Sequence, residues 1–307
     1  MGQKHSLPKK AKHSNVGESP RMKFGAADTQ GFRNSMQDSR LMNLLLDQRT
    51  SVFGVFDGHR GHEVSEFVAK HFCTEIKKTK AYNKGRIRDA LEKTFIRMDD
   101  LLRTPEGQKE LHMISKGIPN GYPIDKIDPI MSGCTAVVAL IRDDKLYVAN
   151  AGDSRCILSR KGKAIEMTVD HKPELPEEHE RIINAGGTVL DGRVMGNLNL
   201  SRSIGDLDFK ANADLPHDKQ MIISVPDITE VTLTKQDHFI LLACDGVWDL
   251  MTSQEAVEFV DKKLKKKKPI GDVAEDLLDN CFHQAVKAQG SDNMTVIVVA
   301  FKHPLNV

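Results

Sequence analysis

Two segments of the chain are apolar at nearly every position and run straight into an Asp-Gly pair. Ser-Val-Phe-Gly-Val-Phe ends on Asp57-Gly58, and Phe-Ile-Leu-Leu-Ala-Cys ends on Asp245-Gly246. A short apolar run rich in β-branched and aromatic side chains, with a turn signal behind it, reads as a buried strand. Asp292 lies just before a third such run, Met-Thr-Val-Ile-Val-Val, and Asp153 follows Leu-Tyr-Val-Ala-Asn-Ala-Gly. Asp249 stands one helical turn after Asp245. Any single Asp-Gly is read first as a plain turn. Several carboxylates at the ends of very apolar strands are expected to converge at one sheet edge. Packed together they repel, and their desolvation is costly unless a cation neutralises them. The ligand set is all oxygen, with no Cys or His spacing suited to zinc, so the expected ions are Mg²⁺ or Mn²⁺. Two such ions about 4 Å apart would make a two-metal hydrolase.

The rest of the chain frames these ends. His62–Lys78 and the run Ile87, Leu91, Phe95, Met98, Leu102 carry apolar residues at the helical period. Thr135–Ile141, Lys145–Ala149 and Arg155–Ser159 read as strands, the first two joined as a hairpin across Arg142–Asp144. Asp170–Arg193, with two prolines, a short polar helix and Gly186-Gly187, reads as an inserted flap. Gln254–Leu264 and Val273–Ala288 are expected helices, and residues 104–131 an expected loop. Strands in antiparallel runs and helices in separate pairs favour an α+β fold with antiparallel sheets covered by helices. No break in composition divides residues 23–303, which are expected to form one domain. Residues 1–22 are polar and basic without an apolar period, and are expected to be disordered.

The net charge of the 307-residue chain is only +1, so any electrostatic preference must be local. Cys73, Cys134, Cys156, Cys244 and Cys281 include no C-x-x-C pair and are odd in number, which argues against a disulfide framework and for a reducing compartment. In apolar runs such cysteines read as small hydrophobes. No run reaches the ~18 apolar residues of a membrane span. Met1-Gly2-Gln3-Lys4-His5-Ser6 fits the N-myristoylation pattern at Gly2. One acyl chain binds marginally, and Lys4, Lys9, Lys10 and Lys12 would supply the second signal on an anionic leaflet. The expected location is therefore cytoplasmic, with peripheral membrane association. The second basic run, Lys262–Lys268, reads as a solvated helix end, and nothing supports nucleic acid.

Six motifs stand in order: Ala27-Asp28-Thr29-Gln30-Gly31-Phe32-Arg33, Val55-Phe56-Asp57-Gly58-His59-Arg60-Gly61, Ala151-Gly152-Asp153-Ser154-Arg155, Leu200-Ser201-Arg202-Ser203-Ile204-Gly205-Asp206, Ala243-Cys244-Asp245-Gly246-Val247-Trp248-Asp249 and Ser291-Asp292-Asn293-Met294-Thr295-Val296. Over about residues 23–301 the chain resembles the metal-dependent protein serine/threonine phosphatases of type 2C, the PPM family. The resemblance implies a sandwich of two antiparallel β-sheets flanked by helices, with the metal centre in a cleft at one end. It implies that Asp57 bridges two ions, that Asp245 and Asp292 complete the first site, and that the Gly58 carbonyl serves the second. Asp153 and Asp249 match positions that hold a third, weaker ion in some members, and Asp38 matches a carboxylate near the metal waters. The family usually carries Glu before that Asp. Here Gln37 stands there, so metal-bound water should be held less firmly and the second site weakened.

The implied reaction is hydrolysis of phosphoserine and phosphothreonine in proteins by a metal-bridged hydroxide, with no phosphoenzyme. Arg33 would hold the phosphoryl oxygens through its planar fork. His59 would protonate the leaving alkoxide, a contribution of ~10²–10⁴-fold. The expected partners are phosphoprotein substrates, and a monomer is the default. Two rivals remain at this point: a non-catalytic binding protein with the same fold, and a two-metal phosphoesterase acting on small molecules.

Overall fold

The computed structural model describes residues 9–116, 131–288 and 292–302. In chain order its principal strands are β1 (Lys9–Glu18), β2 (Met22–Gly31), β3 (Ser39–Asp47), β4 (Thr50–Phe56), β5 (Ala136–Arg142), β6 (Lys145–Ala151), β7 (Arg155–Arg160), β8 (Lys163–Glu166), β9 (Asp227–Thr232), β10 (Asp237–Ala243) and β11 (Met294–Phe301). The principal helices are α1 (Glu63–Lys78), α2 (Ile87–Arg103), α3 (Pro105–Lys116), α4 (Pro176–Asn184), α5 (Ser253–Lys265) and α6 (Ile270–Ala288). One sheet has the order β1-β2-β11-β10-β7-β8 and the other β9-β6-β5-β4-β3, with every pairing antiparallel.

Antiparallel strands usually alternate apolar and polar residues, because one face meets water. Here every residue of β11 is buried. The inner faces of the two sheets meet over Phe24, Phe53, Val55, Leu158, Ile240 and Ile297. The outer face of the first sheet packs Leu241 and Val298 under Val257, Val273 and Leu277 of α5 and α6. The outer face of the second packs Val52, Phe56 and Leu140 under Phe72 and Phe95 of α1 and α2. The central strands are covered on both faces, which is why their sequences are continuous apolar runs. The expected sandwich of two sheets flanked by helices is borne out.

Two expectations are corrected. Lys9–Glu18, placed in a disordered tail, is an edge strand paired with β2 from Lys9↔Gly31 to Glu18↔Lys23. It lacks an apolar period because most of its side chains are exposed. Its ladder and its contacts with α6 hold it: Lys12 to Asp279 at 2.7 Å, Ser14 to Glu275 at 2.7 Å, and Lys10 over the Phe282 ring. Residues 1–8, Gly2 and Lys4 among them, lie outside the described residues. The second correction is α3, which begins inside the segment read as loop. Pro105 opens this helix, where a missing N–H costs nothing, and Thr104 Oγ accepts the Gly107 amide at 3.0 Å. Its Leu111 is fully buried.

The flap holds α4, whose Ile182 packs with Val194, Leu198, Leu200 and Ile222 from the segment that follows it in a small separate core. The basic run at the end of α5 is partly neutralised locally, Lys263 and Lys268 by Asp276 and Lys265 by Asp261. Among the described residues no helix is long and apolar enough to cross a membrane.

Candidate active site

β4 and β10 end, and β11 begins, at the same end of the sandwich. Ala243 lies opposite Val296, so Asp245 emerges beside the start of β11, which Asp292 precedes. Asp57 leaves β4 with its carbonyl accepting the Thr135 amide at 2.9 Å. Gly58–His59, Gly133–Cys134 and Ile204–Gly205 then form a small three-stranded sheet that joins three distant parts of the chain. Gly58 lies so close to the Gln37 carbonyl that any side chain would collide with it. Gln37 is fixed through its backbone: its amide donates to Asn293 Oδ1 at 2.8 Å and its carbonyl accepts from Ser65 Oγ at 2.5 Å. Asn293 also donates to the carbonyls of Gln30 and Ser35, so it pins the segment carrying Arg33, Gln37 and Asp38 to the start of β11. The sequence reading gave Asn293 no task.

The electrostatics carry the chemistry. Burial, together with the charges of Asp38, Asp245, Asp292 and Asp153, pushes the Asp57 carboxyl well above the usual carboxylate range. Burial, then Asp153, Asp292 and Asp249, pushes Asp245 up to about 8. Burial and Asp292 bring Asp38 to about 6, although Thr295 Oγ donates to its Oδ2 at 2.6 Å. Asp38 Oδ1 and Asp245 Oδ1 are buried without a hydrogen-bond partner. Natural proteins rarely leave such oxygens unmet. Mutually repelling carboxylates with unmet buried oxygens fit a hard divalent cation, which neutralises the charge and takes the free lone pairs. Asp38 and Asp245, whose oxygens are unmet, and Asp57, on which both act, are carboxylates that could hold it.

The other expected residues also gather here. Arg33 is exposed and donates to Asp292 Oδ2 at 2.7 Å, so its guanidinium stands at the rim of the cluster. Asp153 is buried and paired with Lys172, whose ammonium also feels Asp245. Asp249 is exposed, raised first by burial and then by Asp153 and Asp292, with Lys172 opposing. Lys172 is thus a tethered cation beside Asp153 that the sequence reading missed.

His59 Nε2 stands 2.6 Å from Asp206 Oδ2. Asp206 is fully buried, and Ser203 Oγ donates to the same oxygen at 2.6 Å. Burial opposes its ionisation, but His59, Ser203 and Lys210 together hold it below the usual range. An ionised Asp206 only accepts, so the proton of this pair sits on His59 Nε2. A side chain at Gly133 would strike both partners. The loop is anchored from below by Asp99, which accepts the Gly205 amide at 2.8 Å and pairs with Lys210 at 2.6 Å, both side chains 4% exposed. Asp99→Ala leaves Lys210 buried and unpaired, a cost of about 3–5 kcal/mol. The expected outcome is a fall of about 10 °C in thermal midpoint by calorimetry; an unchanged midpoint would remove this anchor from the account.

Comparisons with known proteins point to one family. The family model described as "Protein phosphatase 2C" matches residues 22–290. A "Probable protein phosphatase 2C 4" from Paramecium tetraurelia is 45% identical over 307 residues, covering 98% of this chain and 99% of that protein. A "Probable protein phosphatase 2C 21" from Arabidopsis thaliana is 41% identical, covering 99% and 94%. Among solved structures, a serine-threonine phosphatase 2C from Toxoplasma gondii superposes with a TM-score of 0.77 at 21% identity, covering 96% of this chain and all of that one, which speaks to the fold. The carboxylate cluster at the strand ends, the family match across most of the chain and the full-length relatives lead to one conclusion: the chain belongs to the protein phosphatase 2C family, the metal-dependent serine/threonine protein phosphatases.

Proposed function

We propose that the chain hydrolyses phosphoserine and phosphothreonine in proteins at a binuclear Mg²⁺ or Mn²⁺ centre, by direct attack of water on phosphorus and without a phosphorylated enzyme. The observation that carries this is the half-buried cluster of Asp57, Asp245 and Asp38, in which one buried oxygen each of Asp38 and Asp245 has no partner. When bound, the ions neutralise the cluster and lower the pKa of water toward neutrality. Asp57, Asp245, Asp292 and the Gly58 carbonyl would hold the two ions, and Asp153 and Asp249 would hold a weaker third once Lys172 gives way. Arg33 exchanges Asp292 for the phosphoryl oxygens of the substrate and orients them. His59, its Nε2–H held by Asp206, would enter the step with a second proton on Nδ1 and give that proton to the leaving oxygen, ending as the neutral Nε2–H ring.

The experiment is Mn²⁺- or Mg²⁺-dependent release of phosphate from a phosphothreonine peptide, with EDTA as control. Release that EDTA abolishes is the expected result. Inactivity with every divalent metal would favour a binding protein, and activity on small phosphate esters alone would favour a small-molecule phosphoesterase.

Gln37 refines the picture. Its backbone is clamped beside Gly58, so its side chain starts from the wall of the second ion site. An amide there supplies one charge fewer than a carboxylate. Gln37→Glu should lower the Mn²⁺ concentration for half-maximal activity several-fold, and an unchanged value would sink the idea.

Location belongs to the same proposal. Myristoylation at Gly2 with adjacent lysines would hold the enzyme on an anionic cytoplasmic membrane surface as a monomer. Lys12 is already engaged by Asp279, which weakens the basic patch that the sequence offered. Gly2→Ala should move the protein from the membrane to the soluble fraction of a cell lysate; no movement would remove the anchor.

A further inference from the structure

The cysteine that precedes Asp245 does more than fill space. Ligand atoms of Asp38, Asp57 and Cys244 all lie within 4.8 Å of one another. Cys244 itself is fully buried. Its sulfur accepts the Thr295 amide at 3.2 Å and faces the Asn293 carbonyl at 3.6 Å. Burial and the neighbouring carboxylates hold the free sulfur as a neutral thiol, while the Thr295 amide is a contact that a metal-bound sulfur keeps. Beside it, Asp38 Oδ1 is buried without a hydrogen-bond partner. The inner wall of the metal centre therefore presents one sulfur and two carboxylates to a common point.

We infer that Asp38, Asp57 and Cys244 form a second, mutually exclusive metal site for a soft, thiophilic divalent cation such as Zn²⁺ or Cd²⁺. Hard ions gain little from sulfur and use the carboxylate oxygens and the Gly58 carbonyl. A thiophilic ion gains from thiolate and tolerates low coordination. Tetrahedral bonding would set the three ligand atoms roughly 3.5 Å apart, within the separation of at most 4.8 Å that they already have. The sulfur–metal bond replaces the S–H bond, and the thiol proton leaves to solvent. The shared Asp57 sets a soft ion immediately beside the hard ions, where like charges repel, so occupation here would displace them and silence the enzyme.

The test reads binding, so its failure leaves the phosphatase reading standing. Full-length protein stripped of metal is titrated with Cd²⁺ alone, and the ultraviolet charge-transfer absorption of cadmium–thiolate is recorded. The expected result is an absorption lowered by one thiolate in Cys244→Ser, a near-isosteric change that leaves Cys73, Cys134, Cys156 and Cys281 in place. In the unaltered protein, excess Mn²⁺ should raise the Cd²⁺ concentration for half-saturation at least tenfold. This second measurement needs no variant, so a folding defect in Cys244→Ser cannot shelter the idea. Equal absorption in the two proteins, or a Cd²⁺ titration that Mn²⁺ leaves unmoved, would overturn it.

Discussion

Asp57→Asn should abolish phosphate release, by a factor of at least ~10³, while making the metal-free protein more stable. The two effects have one cause. Asp57 is the carboxylate on which Asp38, Asp245, Asp292 and Asp153 all act, and each of them, after burial, makes its ionised form less favourable. Without metal the site stores repulsion. An amide of the same shape removes one charge from the cluster and one ligand from the centre. Active sites commonly trade stability for function in this way. The sign with pH follows. Asp38 titrates at about 6 and Asp245 at about 8, both above their unfolded value of 3.8. Between these limits the folded chain binds more protons than the unfolded one, so stability falls as pH rises. The metal-free protein should therefore melt at a higher temperature near pH 5 than near pH 8. Mn²⁺ should reverse this slope, since a cation replaces the protons. Asp57→Asn should raise the metal-free midpoint at pH 8 by about 5 °C and flatten its pH dependence. Calorimetry at the two pH values, with EDTA and with Mn²⁺, decides it. A variant that loses activity and also melts lower without metal would mean that Asp57 is structural before it is electrostatic.

Much of this centre could be read from the chain because the strands that carry it are covered on both sides. A strand buried on two faces has a sequence like that of β10 or β11, and the first charge after such a run stands out, as Asp57 and Asp245 do. What could not be read has physical reasons. β1 is an edge strand, so pairing with β2 holds it without demanding an apolar face, and its composition looks like that of a tail. The helix after Thr104 hides behind a proline that helices accept in their first turn. Asp206 sits 147 residues from His59, and only the small sheet through Gly133–Cys134 brings them together. Lys172 and Asp153 are separated by the whole β7–β8 hairpin, and nothing in either residue announces the other. Cys244 reads as one more apolar residue of a strand, and its sulfur gains meaning only beside Asp38 and Asp57.

The second large effect is expected at His59. The leaving group of a phosphoserine or phosphothreonine is an alkoxide and must be protonated, whereas an aryl oxide leaves nearly unaided. His59→Ala should therefore cost ~10²–10³-fold in kcat on a phosphopeptide and far less on an aryl phosphate. A merely structural histidine would reduce both alike, and equal losses would end its assignment as the acid. Asp206 provides the finer test, because it touches no substrate and acts through His59. Its carboxylate holds the Nε2 proton and so fixes which nitrogen faces the substrate. Asp206→Asn keeps the size and the contact with Ser203 but offers an amide that can turn either its oxygen or its nitrogen to the ring. The ring then loses its single tautomer, and the loss should follow the same pattern as His59→Ala, smaller in size but again concentrated on the alkyl ester. Combining the two substitutions should cost no more than His59→Ala alone, since residues that act as a unit are not additive. Additive losses would place Asp206 in the support of the 203–210 loop, beside Asp99 and Lys210, and leave His59 to find its orientation elsewhere.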